Sequence, residues 1–204
     1  MNSSIIKKRR GCLKKKILIT VFLILLIFSL FLFRTYKFTS LQVVESHFGK
    51  DNITKVFSEI KRDWGTAYLV ETTEGIRSIF VEKRAFLWNA FAITEFSDNF
   101  IKNDLVKTVG WISVGNNKNN QLTFLAVQNI DPNVSYIEAG SNLDKQRKAI
   151  GLNEIAIFTW DKIIGGHELN AIALDKDNST IYKYGNNPND LSINQRYDLR
   201  WYQE

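Results

Sequence analysis

Seventeen consecutive residues, Ile17 to Phe33, carry no charge and include only Thr20 and Ser29 as polar members. No other feature restricts this chain as strongly. Inside a bilayer no water can satisfy backbone amides, so such a run must be helical, and both hydroxyls can turn back onto the helix backbone. As a helix it covers roughly 25 Å, slightly short of a ~30 Å hydrocarbon core. Snorkelling of Lys14, Lys15, Lys16 and Arg34 takes up the shortfall. A cleaved secretory signal fits less well, because its apolar region is about 7–15 residues long and ends in a small-x-small site. Here the flank is Arg34-Thr35-Tyr36-Lys37-Phe38-Thr39-Ser40, which places Lys37 or Phe38 where a small residue belongs. Cys12 precedes the run, so it is not placed like a lipoprotein cysteine.

Seven cations (Lys7, Lys8, Arg9, Arg10, Lys14, Lys15, Lys16) precede the run and two (Arg34, Lys37) follow it. That asymmetry keeps the N-terminus in the cytoplasm, and an anionic inner leaflet reinforces the choice. Tyr36 and Phe38 then fall where an outer aromatic belt lies. The expectation is a basic cytoplasmic tail over 1–16, a transmembrane helix over 17–33, a juxtamembrane linker over 34–39 and an extracellular domain over 40–204. The lipid bilayer is thus the first expected partner.

Charge divides the chain at the same place. Residues 1–37 hold nine of the 27 Lys/Arg and none of the 21 Asp/Glu, so the remainder carries a net charge of −3. A mildly acidic domain lacks the basic face that displaces counterions, which argues against a nucleic-acid partner. Cys12 is the only cysteine, so the outer part depends on core burial without disulfides. A chain rich in Ile, Lys, Asn and Phe with two prolines reads as the product of an AT-rich genome. The triplets at Asn52, Asn133 and Asn178 match glycosylation acceptors, as chance allows in so Asn-rich a chain.

The outer segment reads as mainly β. Ser40 is a candidate N-cap for a short helix whose Leu41, Val44 and Phe48 share a face and which Gly49 closes. VFSEIKRDWGTAYLVET can be read as helix or as two strands hinged at Asp63-Trp64-Gly65; the hairpin is preferred. YLVET, IRSIFVE and FLWNAFAI follow, with turns at Thr73-Glu74-Gly75 and Lys83-Arg84. VKTVGWISV and QLTFLAVQNI flank a Gly/Asn loop over 115–120. NVSYIEAG follows the turn at Pro132, and EIAIFTW, ELNAIALD and TIYKY complete the series. Short strands with regular turns predict antiparallel sheets packed as a sandwich, with a possible subdomain break near 98–104. The motif KRDWGTAYLVET, with VSYIEAG and EIAIFTWDK further on, resembles small single-pass exported proteins of low-GC Gram-positive bacteria. The resemblance implies an envelope location and no particular activity or ligand.

Candidate chemistry is sparse. Ser58-Glu59-Ile60-Lys61 matches S-x-x-K, but on a strand Ser58 and Lys61 point to opposite faces and the accompanying elements of that site are missing. Asp175-Lys176-Asp177-Asn178-Ser179 starts like a calcium loop, yet Thr180 replaces the required glycine and Asn186 the bidentate glutamate, so a turn is expected. His47 and His167 are the only histidines and have no metal-ligand spacing. Gly165-Gly166 lacks the lysine and spacing of a phosphate loop. The five tryptophans, Trp64, Trp88, Trp111, Trp160 and Trp201, would stack on sugars if exposed in a row, but are expected mostly in the core, with Trp64 the candidate for exposure. The C-terminal RYDLRWYQE suits an edge strand or a docked tail.

These readings imply no catalytic, cofactor-binding or metal-ligating residue and no cofactor. The expected function is binding by a membrane-anchored envelope protein, to an envelope protein or a cell-wall polymer. The alternatives are an envelope hydrolase built on carboxylates such as Glu71, Glu82, Glu138 and Asp161, and a modulator acting through its transmembrane helix.

Overall fold

The computed structural model describes residues 17–27, 29, 34–95, 104–116, 119–186 and 199–204. Residues 17–27 are helical and exposed, and among the described residues no helix is long and apolar enough to cross a membrane. The expected tail over 1–16, residues 28 and 30–33 of the expected span, and most of the 98–104 break lie outside the described residues.

The rest is mainly β, in antiparallel sheets. Strands β1 (Ile53–Arg62), β2 (Gly65–Thr72), β3 (Gly75–Arg84) and β4 (Leu87–Glu95) form a four-stranded meander. β5 (Val106–Gly115) and β6 (Gln121–Asn129) form a hairpin that β9 (Ile155–Trp160) extends to order β5-β6-β9. The third sheet has order β12-β11-β10-β7-β8, from β7 (Tyr136–Ala139), β8 (Gln146–Ala149), β10 (Ile172–Leu174), β11 (Thr180–Gly185) and β12 (Arg200–Gln203). Helix α1 (Ser40–Phe48) lies on the outer face of the meander.

The period of two along each strand assembles these layers. On β6, Leu122, Phe124 and Ala126 face the meander and pack with Ala67, Leu69 and Phe80. Leu125 and Val127 face the third sheet and meet Ile137, Ala173 and Trp201. β2 alternates likewise: Ala67 and Leu69 point to the middle sheet, while Tyr68 and Val70 point to Val43 and Val44 of α1. The order of layers is therefore helix, four strands, three strands, five strands.

A bulge between Thr108 and Gly110 resolves a conflict in β5. Val106 faces the third sheet and so does Trp111, five positions on, which strict alternation forbids. One extra residue flips the parity and lets Val109, Ile112 and Val114 reach the other core. Close packing also explains Gly65: a Cβ there would sit 2.2 Å from the Phe80 ring and 2.8 Å from the Val81 carbonyl.

Several boundaries differ from the sequence expectation. Thr39, not Ser40, caps α1: its side chain accepts from the Gln42 N–H at 3.2 Å. Ser40 is helical, and its hydroxyl meets the Tyr68 hydroxyl at 2.7 Å. The buried face of α1 is Val43 and Val44, while Leu41 is 43% exposed. The β3–β4 turn falls at Ala85 and Phe86, beyond Lys83-Arg84, with Ala85 at φ 57. β8 is formed by Gln-Arg-Lys-Ala, which has no apolar alternation to announce it. Gln146 and Lys148 donate instead to the Thr159 and Ile157 carbonyls of β9, closing the second and third sheets along that edge.

One polar cluster lies within this core. Tyr182 donates to Asp131 at 2.7 Å, Asn133 donates to the same carboxylate through its backbone and side chain, and Asn129 accepts from the Asp131 N–H. Burial by itself would raise the Asp131 carboxyl, but the bonds from Asn133 and Tyr182 outweigh it and hold the group below its ordinary value of 3.8. A depressed carboxyl contributes stability that is present above the unfolded value and lost as pH falls through the folded one. Asp131→Asn should therefore be less stable than the parent near neutrality, and the gap should close on acidification below about pH 4. Denaturant midpoints across that range test this, and a gap independent of pH contradicts it. Phe124→Ala, which empties the contact between meander and middle sheet, should cost about 3–5 kcal/mol in the same assay.

Candidate functional site

The structure distributes most sequence candidates among separate elements. Ser58 and Lys61 both lie on β1, where Lys61 pairs with Glu59 at 3.1 Å. The Asp175 carboxylate accepts from the Asp177 and Ser179 N–H groups at 2.9 and 2.8 Å and so shapes the β10–β11 turn, with Asn178 at φ 69. Among the described residues no group of three or more His, Cys, Asp or Glu could hold a metal ion. His47 lies in the last turn of α1 with its ring edge-on to Phe48 at 4.8 Å.

The four carboxylates also fail to converge. Glu82 pairs with Arg84 on the meander, Glu138 with Lys145 on the third sheet, and Asp161 with Arg62 just past β9. Glu71 stays in β2 opposite Lys55. The tryptophans form no exposed row. Trp160 and Trp201 are buried in the core between the second and third sheets, with Trp111 packed against it. Trp64, the candidate for exposure, lies 4.6 Å from Phe80 and packs on the other core, next to Gly65, whose lack of a side chain leaves room for the Phe80 ring.

His167, in contrast, lines an open cleft of about 770 Å³ together with Ser141, Leu143, Lys162, Ile163 and Asn170. One wall is the turn after β7. Gly140 has φ 128, and a Cβ there would lie 2.4 Å from the Asp144 carbonyl, so only glycine permits the chain to fold back this tightly. The turn is secured by Asp144 N–H to Ser141 O at 2.9 Å and by the Trp160 indole N–H to Asp144 O at 2.9 Å. The other wall follows β9. There Thr123 of β6, fully buried, donates to the Lys162 carbonyl at 2.7 Å and accepts from the Ile164 N–H at 2.9 Å. Glu168 accepts from the Gly165 N–H at 2.8 Å and rounds off that wall.

Lys162 joins the walls, donating to the Ser141 hydroxyl at 2.8 Å and pairing with Asp144. A serine beside a lysine can be a nucleophile with its base. Here the Lys162 amine is also paired with Asp144, and these two contacts hold the walls of the cleft together. The walls present polar and apolar groups outward in similar measure: Leu143 is 94% exposed and Ile163 47% exposed, beside the Asn142 and Asn170 amides. Large aliphatic side chains held on a firmly bonded loop are suited to contact with another molecule.

No family model, curated protein or solved structure matches this chain. The geometry of the cleft is accordingly what a functional reading can use.

Sequence reasoning weighed His167 but missed Ser141, Asp144 and Lys162. They meet only because β7 and β9 place their loops at the same end of adjoining sheets. The Gly165-Gly166 pair marked a turn there, without indicating that the loop after β7 is its neighbour.

Lys162→Met should change global stability by less than about 1 kcal/mol, since a partly exposed ion pair contributes little. It should nevertheless speed amide hydrogen exchange in the turn Ser141–Asp144. Unaltered exchange there would show that Lys162 does not hold the wall.

Proposed function

We propose that this protein is a membrane-anchored binding protein of the cell envelope whose β-rich outer domain engages a protein partner through the Ser141–Asn170 cleft. The observation that carries the reading is the exposure of Leu143 and Ile163 on braced loops. Exposed aliphatic side chains gathered on held loops, with amides beside them, are what contact with another protein would cover. A sugar polymer would call for exposed aromatic faces, and the tryptophans are committed to the cores.

The anchor itself rests on the sequence: a seventeen-residue apolar run preceded by seven cations. The helical, exposed state of residues 17–27 is compatible with lipid contact. In this reading residues 1–16 are cytoplasmic, 17–33 span the bilayer, and the cleft works outside.

Two measurements test it. A topology reporter fused after Glu204 should be active outside the membrane; cytoplasmic activity would refute the orientation. A photocrosslinking residue at Leu143 should give a discrete protein adduct in cells that the same residue at Leu152, an exposed leucine in the β8–β9 turn, does not. Equal labelling at both positions would remove the cleft from consideration.

A further inference from the structure

We infer that the β3–β4 hairpin tip, with Phe86 at its apex, is a membrane-contacting surface that seats the outer domain on anionic phospholipid beside its own anchor; this rests on the anchor reading above. The inference starts from Phe86, a large aromatic 72% exposed at a two-residue turn. An isolated loop ring needs no explanation, but the location of this one is specific. Lys37 is hydrogen-bonded in both directions to Trp88, N–H to O at 2.9 Å and O to H–N at 2.8 Å. The backbone just past the apolar run is thereby paired with the strand that begins at the tip.

Chain length then leaves little freedom. Only Arg34, Thr35 and Tyr36 separate Phe33 from the paired Lys37, and three residues reach at most roughly 11 Å even when extended. Arg34 and Thr35 are helical, which shortens the reach. A domain tied down this closely rests on the headgroups, and the part tied down is the hairpin tip. The side chains there suit that layer. Phe38 is 56% and Leu41 43% exposed next to the tether, and Lys83 lies over the Trp88 ring at 5.6 Å. Arg84 is held by Glu82 at 2.8 Å and faces Tyr36. Four cations, Arg34, Lys37, Lys83 and Arg84, thus lie on the segment paired with Trp88 and on the strand end that leads to Phe86, with Glu82 bonded to Arg84 and Glu45 near Lys37 and Phe38. Aromatic rings at headgroup depth flanked by Lys and Arg form the usual interfacial pattern, and the cations are drawn to anionic lipid although the domain as a whole is acidic.

The test uses the full chain with Cys12→Ser, carrying a single cysteine with an environment-sensitive fluorophore at position 23, 86 or 152. Each protein is reconstituted into phosphatidylcholine vesicles with and without phosphatidylglycerol, and quenched by spin-labelled lipid. The label at 86 should show a blue shift and lose intensity to the lipid quencher, more so with phosphatidylglycerol, while the label at 152 does neither. The label at 23 reports the anchor alone. Quenching at 23 with equal, solvent-like emission at 86 and 152 would overturn the tip contact and leave the anchor standing. No quenching at 23 would overturn the anchor and this inference with it. Lys83→Glu with Arg84→Glu should abolish the phosphatidylglycerol dependence at 86 without affecting position 23; retained dependence would also count against the inference.

Discussion

The central strand of the middle sheet, β6, has no face over Leu122–Val127 that water could wet, and the remaining architecture follows from covering it. β6 sends Leu122, Phe124 and Ala126 one way and Thr123, Leu125 and Val127 the other, all fully buried. A strand buried on both sides needs a sheet on each side. The meander supplies one cover, and because its own β2 is also apolar on both faces, α1 must close it from outside through Val43 and Val44. The five-stranded sheet supplies the other cover. Disulfides are not needed for a chain that buries this much, and the β-rich part contains no cysteine.

Polar contacts decide how these layers are held in register. Trp201 donates its indole N–H to Thr108 at 3.1 Å, and Arg200 forks onto Asp104 at 2.6 and 3.2 Å, tying β12 to β5 and the residues before it. On the other edge Gln146 and Lys148 reach β9 carbonyls. The second and third sheets are therefore clasped at both margins by side chains, without a continuous backbone ladder. Thr123 extends the same logic: a hydroxyl in the apolar interior costs free energy unless paired, and its pairing fixes the Lys162–Ile164 wall of the cleft. The cleft is a consequence of how the core ends at that margin.

Charge and exposure separate two surfaces of different character. The cleft offers aliphatic side chains and amides on a domain of net negative charge. The hairpin tip offers the exposed Phe86 close to Lys83 and Arg84, next to the Lys37–Trp88 pairing. In the proposed reading the first would meet a protein and the second lipid headgroups, so the partner would be met by a domain whose orientation on the membrane is restrained.

Much of the fold was legible in the chain itself. Turn residues and alternation located the β1–β2 hinge at Asp63-Trp64, the meander, the β5–β6 hairpin and β9, because turns and pleats are local preferences of a few neighbouring residues. The split between a basic, apolar N-terminal segment and an acidic remainder is likewise a property of composition. Legibility failed where an element depends on distant partners. β8 has no pattern of its own and exists because β7 and β9 border it; Leu41 loses its place in the core because the helix rotates to seat Val43; Trp64 is drawn inward by Phe80. The Val109 bulge, the Asp131–Tyr182 bond across 51 positions and the meeting of Ser141 with Lys162 all depend on strand register. Register is a relation between segments, so only the packed tertiary structure could decide which side chains would meet.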